Sequence, residues 1–131
     1  MNKFPFISLQ SSVIGLRIFT ACIFLAHAVV RISGGTIDRF GGFLEEKGLP
    51  FGVVLVWLIT IFELAGSLLL IAGRFTKNLS LGFIILLFAG IVLIHAGNGW
   101  FVGEHGTGGV EYSALLIVAF IVIAAGDNNR R

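Results

Sequence analysis

Residues 51–72 read FGVVLVWLITIFELAGSLLLIA, an apolar run with one charge, Glu63, near its middle. Pro50 precedes it and Gly73-Arg74 closes it. A helix needs about 20 predominantly apolar residues to cross a bilayer, and this run is long enough. It decides the fold class, because every other apolar stretch can be measured against it. Val13–Ile32 and Leu79–Ala96 are comparable. A last run, Ser113–Ala125, is too short by itself. It reaches spanning length only when the helix starts near Gly108, which carries Glu111 and Tyr112 toward the membrane. The expected architecture is all-α: one integral membrane domain over residues 1–131, a four-helix bundle with spans near 13–32, 51–72, 79–96 and 108–126.

Composition agrees. Of 131 residues, 56% are hydrophobic and 12% charged, with mean hydropathy +1.00. Soluble domains carry about 25% charged residues. The net charge of +2 is too small, and the basic residues too scattered, to support nucleic-acid binding. Cys22 is the single cysteine, which excludes an internal disulfide and any self-contained CxxC chemistry. Ala26-His27-Ala28 has the form of a signal-peptidase site, but Arg17 interrupts the run before it, and the leader is long and nearly uncharged. Arg17 also lies too close to Cys22 for a lipoprotein leader.

Charge bias orients the spans. Lys3, Arg74, Lys77, Arg130 and Arg131 fall on one side of a four-span chain. The other side has Arg39 and Lys47, offset by Asp38, Glu45 and Glu46. Basic loops stay inside, so both termini are expected in the cytoplasm. Trp57 and Trp100 then sit near the outer interface, where aromatic belts form. Between the first two spans, Asp38–Lys47 puts Phe40, Phe43 and Leu44 on one side, with Gly48 as a stop and Pro50 as a restart. That pattern predicts a short helix lying on the membrane surface. The loop 97–109 is rich in glycine but follows no strand, so it implies no nucleotide fold. His105 in that loop is expected to be solvated.

Any chemistry rests on the polar residues within the spans: Arg17, His27, Glu63, His95 and Glu111, with Arg31 at a helix end. Charges in a bilayer are costly and face the interior of the helix bundle. At about 1.5 Å rise per residue, His27, His95 and Glu111 fall at one level, roughly 20–25 Å up from the cytoplasmic end. Arg31 falls about one turn higher and Glu63 near mid-membrane. On the first span, Arg17, His27 and Arg31 share an arc of roughly 80°. On the second, Thr60, Gly66 and Ser67 flank Glu63 within roughly 60°. Two readings of each set stand side by side. Arg17 and Glu63 form a structural ion pair that fixes registry, or a quinone or proton site. His27 and His95 are locally hydrogen-bonded histidines, or axial haem ligands. His27, His95 and Glu111 form a polar ligand pocket with Arg31, open to the outer face and roofed by Phe40–Phe43 and the glycine-rich loop, or bind a metal.

The ordered set of motifs resembles the DoxX family. The matching pieces are Leu16-Arg17, Phe24-Leu25-Ala26-His27, Gly34-Gly35, Phe43-Leu44, Gly48-Leu49-Pro50-Phe51, Phe62-Glu63-Leu64-Ala65-Gly66 and Gly73-Arg74-Phe75-Thr76-Lys77. His95 and Glu111-Tyr112 complete the set. Ala28 and Ala65 stand where the family often has glycine, and the last helix matches only generically. The resemblance implies a multi-pass protein of the bacterial cytoplasmic (inner) membrane. It also implies association with redox systems, since the family takes its name from a subunit of a thiosulfate:quinone oxidoreductase. On that basis the expected function is a redox-associated subunit that binds a quinone-like or other small ligand, with other membrane subunits as partners beside the lipid bilayer. The ligand-binding candidates are His27, Arg31, Glu63, His95 and Glu111. The alternative is a non-enzymatic scaffold or small transporter whose polar core is structural or proton-conducting. No inverted repeat or broken helix pair favours transport.

Overall fold

The computed structural model describes residues 3–103 and 108–127. His105, Gly106, Arg130 and Arg131 lie outside the described residues. Five α-helices follow in order: α1 Leu9–Ser33, α2 Ile37–Glu46, α3 Gly52–Ile71, α4 Thr76–Gly90 and α5 Glu111–Asp127. A π-helical turn, Ile91–His95, and a 3-10 turn, Ala96–Asn98, extend α4. There is no strand among the described residues.

Three segments are long and apolar enough to cross a membrane: Leu9–Ser33, Gly52–Ile71 and Thr76–Asn98. The fourth apolar helix, α5, has 17 residues, the lower bound for a span at about 25 Å of rise. Large apolar side chains such as Phe19, Leu58, Ile61, Leu81, Ile85, Phe88 and Leu115 are exposed. That arrangement is stable only where the surroundings are themselves apolar, so the outer faces of these helices are lipid-facing. Among the buried residues, small and polar ones accompany large apolar ones. α3 buries Gly52, Val56, Thr60, Glu63, Gly66, Ser67 and Leu70, at spacings of three and four. Small and hydroxyl residues on one stripe let helix backbones approach closely in the absence of a hydrophobic driving force.

α5 starts at Glu111, three residues later than its length requirement suggests, because the preceding residues are committed elsewhere. Val110 N–H donates to Gly99 O (3.1 Å) and Glu111 N–H to Trp100 O (2.9 Å). A Cβ on Gly109 would lie 2.6 Å from Trp100 O and closer still to Phe101 O. Residues 109–111 therefore run against 99–101 instead of winding into helix. Glu111 is consequently the first residue of α5.

By contact density the chain divides into two compact units, Met1–Thr20 with Phe75–Arg131, and Ala21–Arg74. In the first, α4 and α5 pack along Ser80, Phe83 and Leu87 on one side and Leu116, Phe120 and Ile123 on the other. The Phe83 and Phe120 rings stack at 5.1 Å, 2° from parallel. In the second, α2 packs on α3 through two glycines. A Cβ on Gly41 would fall 2.6 Å from Val53 N, and one on Gly52 would collide with the Gly41 carbonyl. The helix expected on the membrane surface thus forms, and its buried Ile37, Gly41 and Leu44 face the protein.

Candidate functional site

α3 begins without a side-chain cap of its own. Its first N–H groups need an acceptor, and α2 supplies one: Glu45 Oε1 accepts from Gly52 N–H at 3.0 Å. A carboxylate on a helix N-terminus is favoured by the helix dipole. This contact, with the glycine packing, fixes α2 over the start of α3.

Farther along α3, Arg31 of α1 donates from Nη1 to Glu63 Oε2 at 2.6 Å and to Thr60 Oγ1 at 2.9 Å. Thr60 in turn donates to Val56 O at 2.7 Å, so its hydroxyl is oriented to accept from the guanidinium. The side chains of Arg31 and Glu63 are 14% and 6% exposed. The Phe40 ring of α2 lies over the Arg31 guanidinium, 5.5 Å from carbon to centroid, and stacks loosely with Phe43. Cation–π contact and a charge-assisted hydrogen bond thus hold the same group from two sides. All of these residues belong to the unit Ala21–Arg74. Depth along ideal helices separates Arg31 from Glu63, and the sequence marks Thr60 only as a small residue flanking the glutamate, so neither contact is announced by local pattern.

Arg17 is buried on the first half of α1, in the other unit. His27 lies one turn before Arg31 and is exposed. His95 closes the π-helical turn, with Nδ1 buried and without a hydrogen-bond partner. Gly108 approaches it: a Cβ on that glycine would lie 4.0 Å from Nδ1. Glu111 Oε1 accepts from Val102 N–H at 2.8 Å, which pins the loop to the start of α5. Among the described residues, no group of three His, Cys, Asp or Glu side chains is placed to hold a metal ion.

These features define a small all-helical membrane protein with a charged pair buried between spanning helices. The DoxX family model matches residues 12–96. The chain therefore belongs to the DoxX family, with α5 beyond the matched region. No curated protein and no solved structure matches it.

Proposed function

We propose that this chain is a redox-associated subunit of the bacterial cytoplasmic membrane that binds a quinone-like, carbonyl-bearing molecule beside Arg31 and Glu63. The observation that carries this reading is the partly exposed guanidinium of Arg31 under the Phe40 ring. A guanidinium has five N–H donors, and the two hydrogen bonds to Glu63 and Thr60 both leave from Nη1. Its other donors suit a carbonyl oxygen, and Phe40 and Phe43 supply aromatic faces for a ring. His27, one turn earlier on α1, adds a second titratable group on the same helix. His95 and Glu111 remain candidate ligand-binding residues on the other unit. Haem at His27 and His95 is the less supported cofactor, since His27 is exposed.

The scaffold reading has its own support. An arginine closed on a carboxylate and a hydroxyl is also what a structural latch requires, and buried ion pairs often specify one arrangement of helices. Organic extraction of the purified protein, with chromatographic detection of quinone, separates the two. Binding predicts quinone in the wild-type extract and its loss in Arg31→Lys, which keeps the charge but not the fork of donors. Equal quinone in both samples, or none in either, leaves the latch.

A further inference from the structure

The unit containing the first half of α1 holds a cavity of about 480 Å³ that the Arg31–Glu63 centre does not touch. That size is within the usual range of about 300–1,000 Å³ for small-molecule sites. Val13 and Ile14 of α1 and Val122 and Ile123 of α5 form apolar wall, while Arg17 and Thr76 bring polar groups to it. Thr76 is 2% exposed, and its Oγ1 is buried with no hydrogen-bond partner. Gln10 and Asp127 also line it.

The layout is that of an amphiphile site. Thr76 is the first residue of α4, Gln10 the second of α1, and Asp127 the last of α5, so three helix ends meet the cavity. Arg17 lies about 12 Å into α1, but helical side chains lean toward the N-terminus. Arg17 lines the same cavity as Gln10 and Thr76. Among the residues that line the cavity, Arg17 is the cation and Asp127 the carboxylate, on the first half of α1 and at the end of α5. A basic side chain placed between membrane helices is a recognition group for anionic headgroups, and the unpartnered Thr76 hydroxyl adds a donor beside it.

We propose that this cavity binds an anionic amphiphile, its acid group at Arg17 and Thr76 and its aliphatic chain along Val13, Ile14, Val122 and Ile123. The hydroxyl of Thr76 donates to the acid oxygen, which gives that buried group the partner it lacks. The site is separate from the quinone reading and does not depend on it.

The test uses the full chain, delipidated in a non-ionic detergent. Native mass spectrometry counts bound dioleoylphosphatidylglycerol, dioleoylphosphatidylcholine or oleate, with Tm read in parallel. One charge-assisted hydrogen bond gives roughly tenfold tighter binding of the anionic lipid than of the zwitterionic one. Preference for oleate over phosphatidylglycerol identifies a free acid as the ligand, and the reverse identifies a phospholipid. Thr76→Val should weaken anionic binding severalfold while the lipid-free Tm holds or rises, since no existing hydrogen bond of that hydroxyl is lost. Val122→Trp should fill the cavity and block binding with Arg17 intact. Equal binding of the two phospholipids, or wild-type binding by both Thr76→Val and Val122→Trp, overturns the proposal.

Discussion

Arg31 and Glu63, from two different helices, meet at 2.6 Å between Nη1 and Oε2, and Thr60 accepts from the same nitrogen. The contact ties the last turn of α1 to the middle of α3. Neither residue is cheap to bury alone. Removing one partner of a buried pair leaves an uncompensated charge and costs about 3–5 kcal/mol, whereas removing both is milder. Arg31→Gln and Glu63→Gln should each lower stability by that order, and the double variant should fall well short of the sum. Reversible unfolding in detergent measures the cycle; additive losses would show that the two groups act independently.

The sequence also offers Arg17 as a partner of Glu63, and the same cycle tests that pairing. Arg17 and Arg31 are about 21 Å apart along α1. One carboxylate cannot couple strongly to both in the same way. The expected result is a larger coupling energy for Arg31 with Glu63 than for Arg17 with Glu63. The opposite order would make Arg17 the principal partner.

The clamp between α2 and α3 gives a sharper steric prediction. A Cβ at Gly52 would strike the Gly41 carbonyl, a backbone atom that no rotamer change can move aside. Gly52→Ala should cost about 1–3 kcal/mol, the range for overpacking. Glu45→Gln, which keeps an acceptor but removes the charge from the N-terminus of α3, should cost only about 0.3–1 kcal/mol. Amide exchange across Ile37–Glu46 measures both. An alanine at position 52 that leaves those amides as protected as in wild type would show that the helices separate freely.

What is legible in the sequence, and what is not, follows from the range of the interactions. The spans are legible because 20 apolar residues in a row have few other uses, and α2 because Gly48 and Pro50 punctuate it. The buried stripe of α3 is legible from the period of its small and hydroxyl residues around Glu63. The Arg31–Glu63 pair is not, because depth along ideal upright helices places Arg31 above the polar level and ignores where a long side chain reaches. The cap from Glu45 to Gly52 N–H joins two helices, so no local pattern announces it. The start of α5 is not legible when apolar length is the only guide, which sets it near Gly108 instead of Glu111. The pairing of 109–111 with 99–101 moves that start.

Glu111 therefore has a local role to check. Its carboxylate accepts from Val102 N–H at 2.8 Å, at the N-terminus of α5, where negative charge is favoured. Glu111→Ala should cost about 1 kcal/mol and speed amide exchange at Val102, while Glu111→Gln should retain much of the protection. Unchanged exchange at Val102 in the alanine variant would mean that the loop is held by the Trp100 and Gly99 carbonyl contacts alone.

The last prediction is the direction of insertion. The segment before α1 carries Lys3, and the turn between α3 and α4 carries Arg74 and Lys77. The sequence after α5 ends in Arg130-Arg131. On the other side, α2 and the residues after it carry Arg39 and Lys47 with Asp38, Glu45 and Glu46. Lys and Arg, and not net charge, set orientation in short loops, and five against two favours the first set in the cytoplasm. With α1, α3, α4 and α5 all crossing, the two termini share that side. Alkaline phosphatase fused after Arg131 should be inactive and a fluorescent protein there bright, whereas phosphatase inserted between Phe101 and Gly103 should be active. Replacing Arg74 and Lys77 by glutamine leaves three basic residues against two and should give a mixed population. An active phosphatase at the C-terminus of the unaltered chain would invert the assignment, and α2 would then lie on the cytoplasmic face.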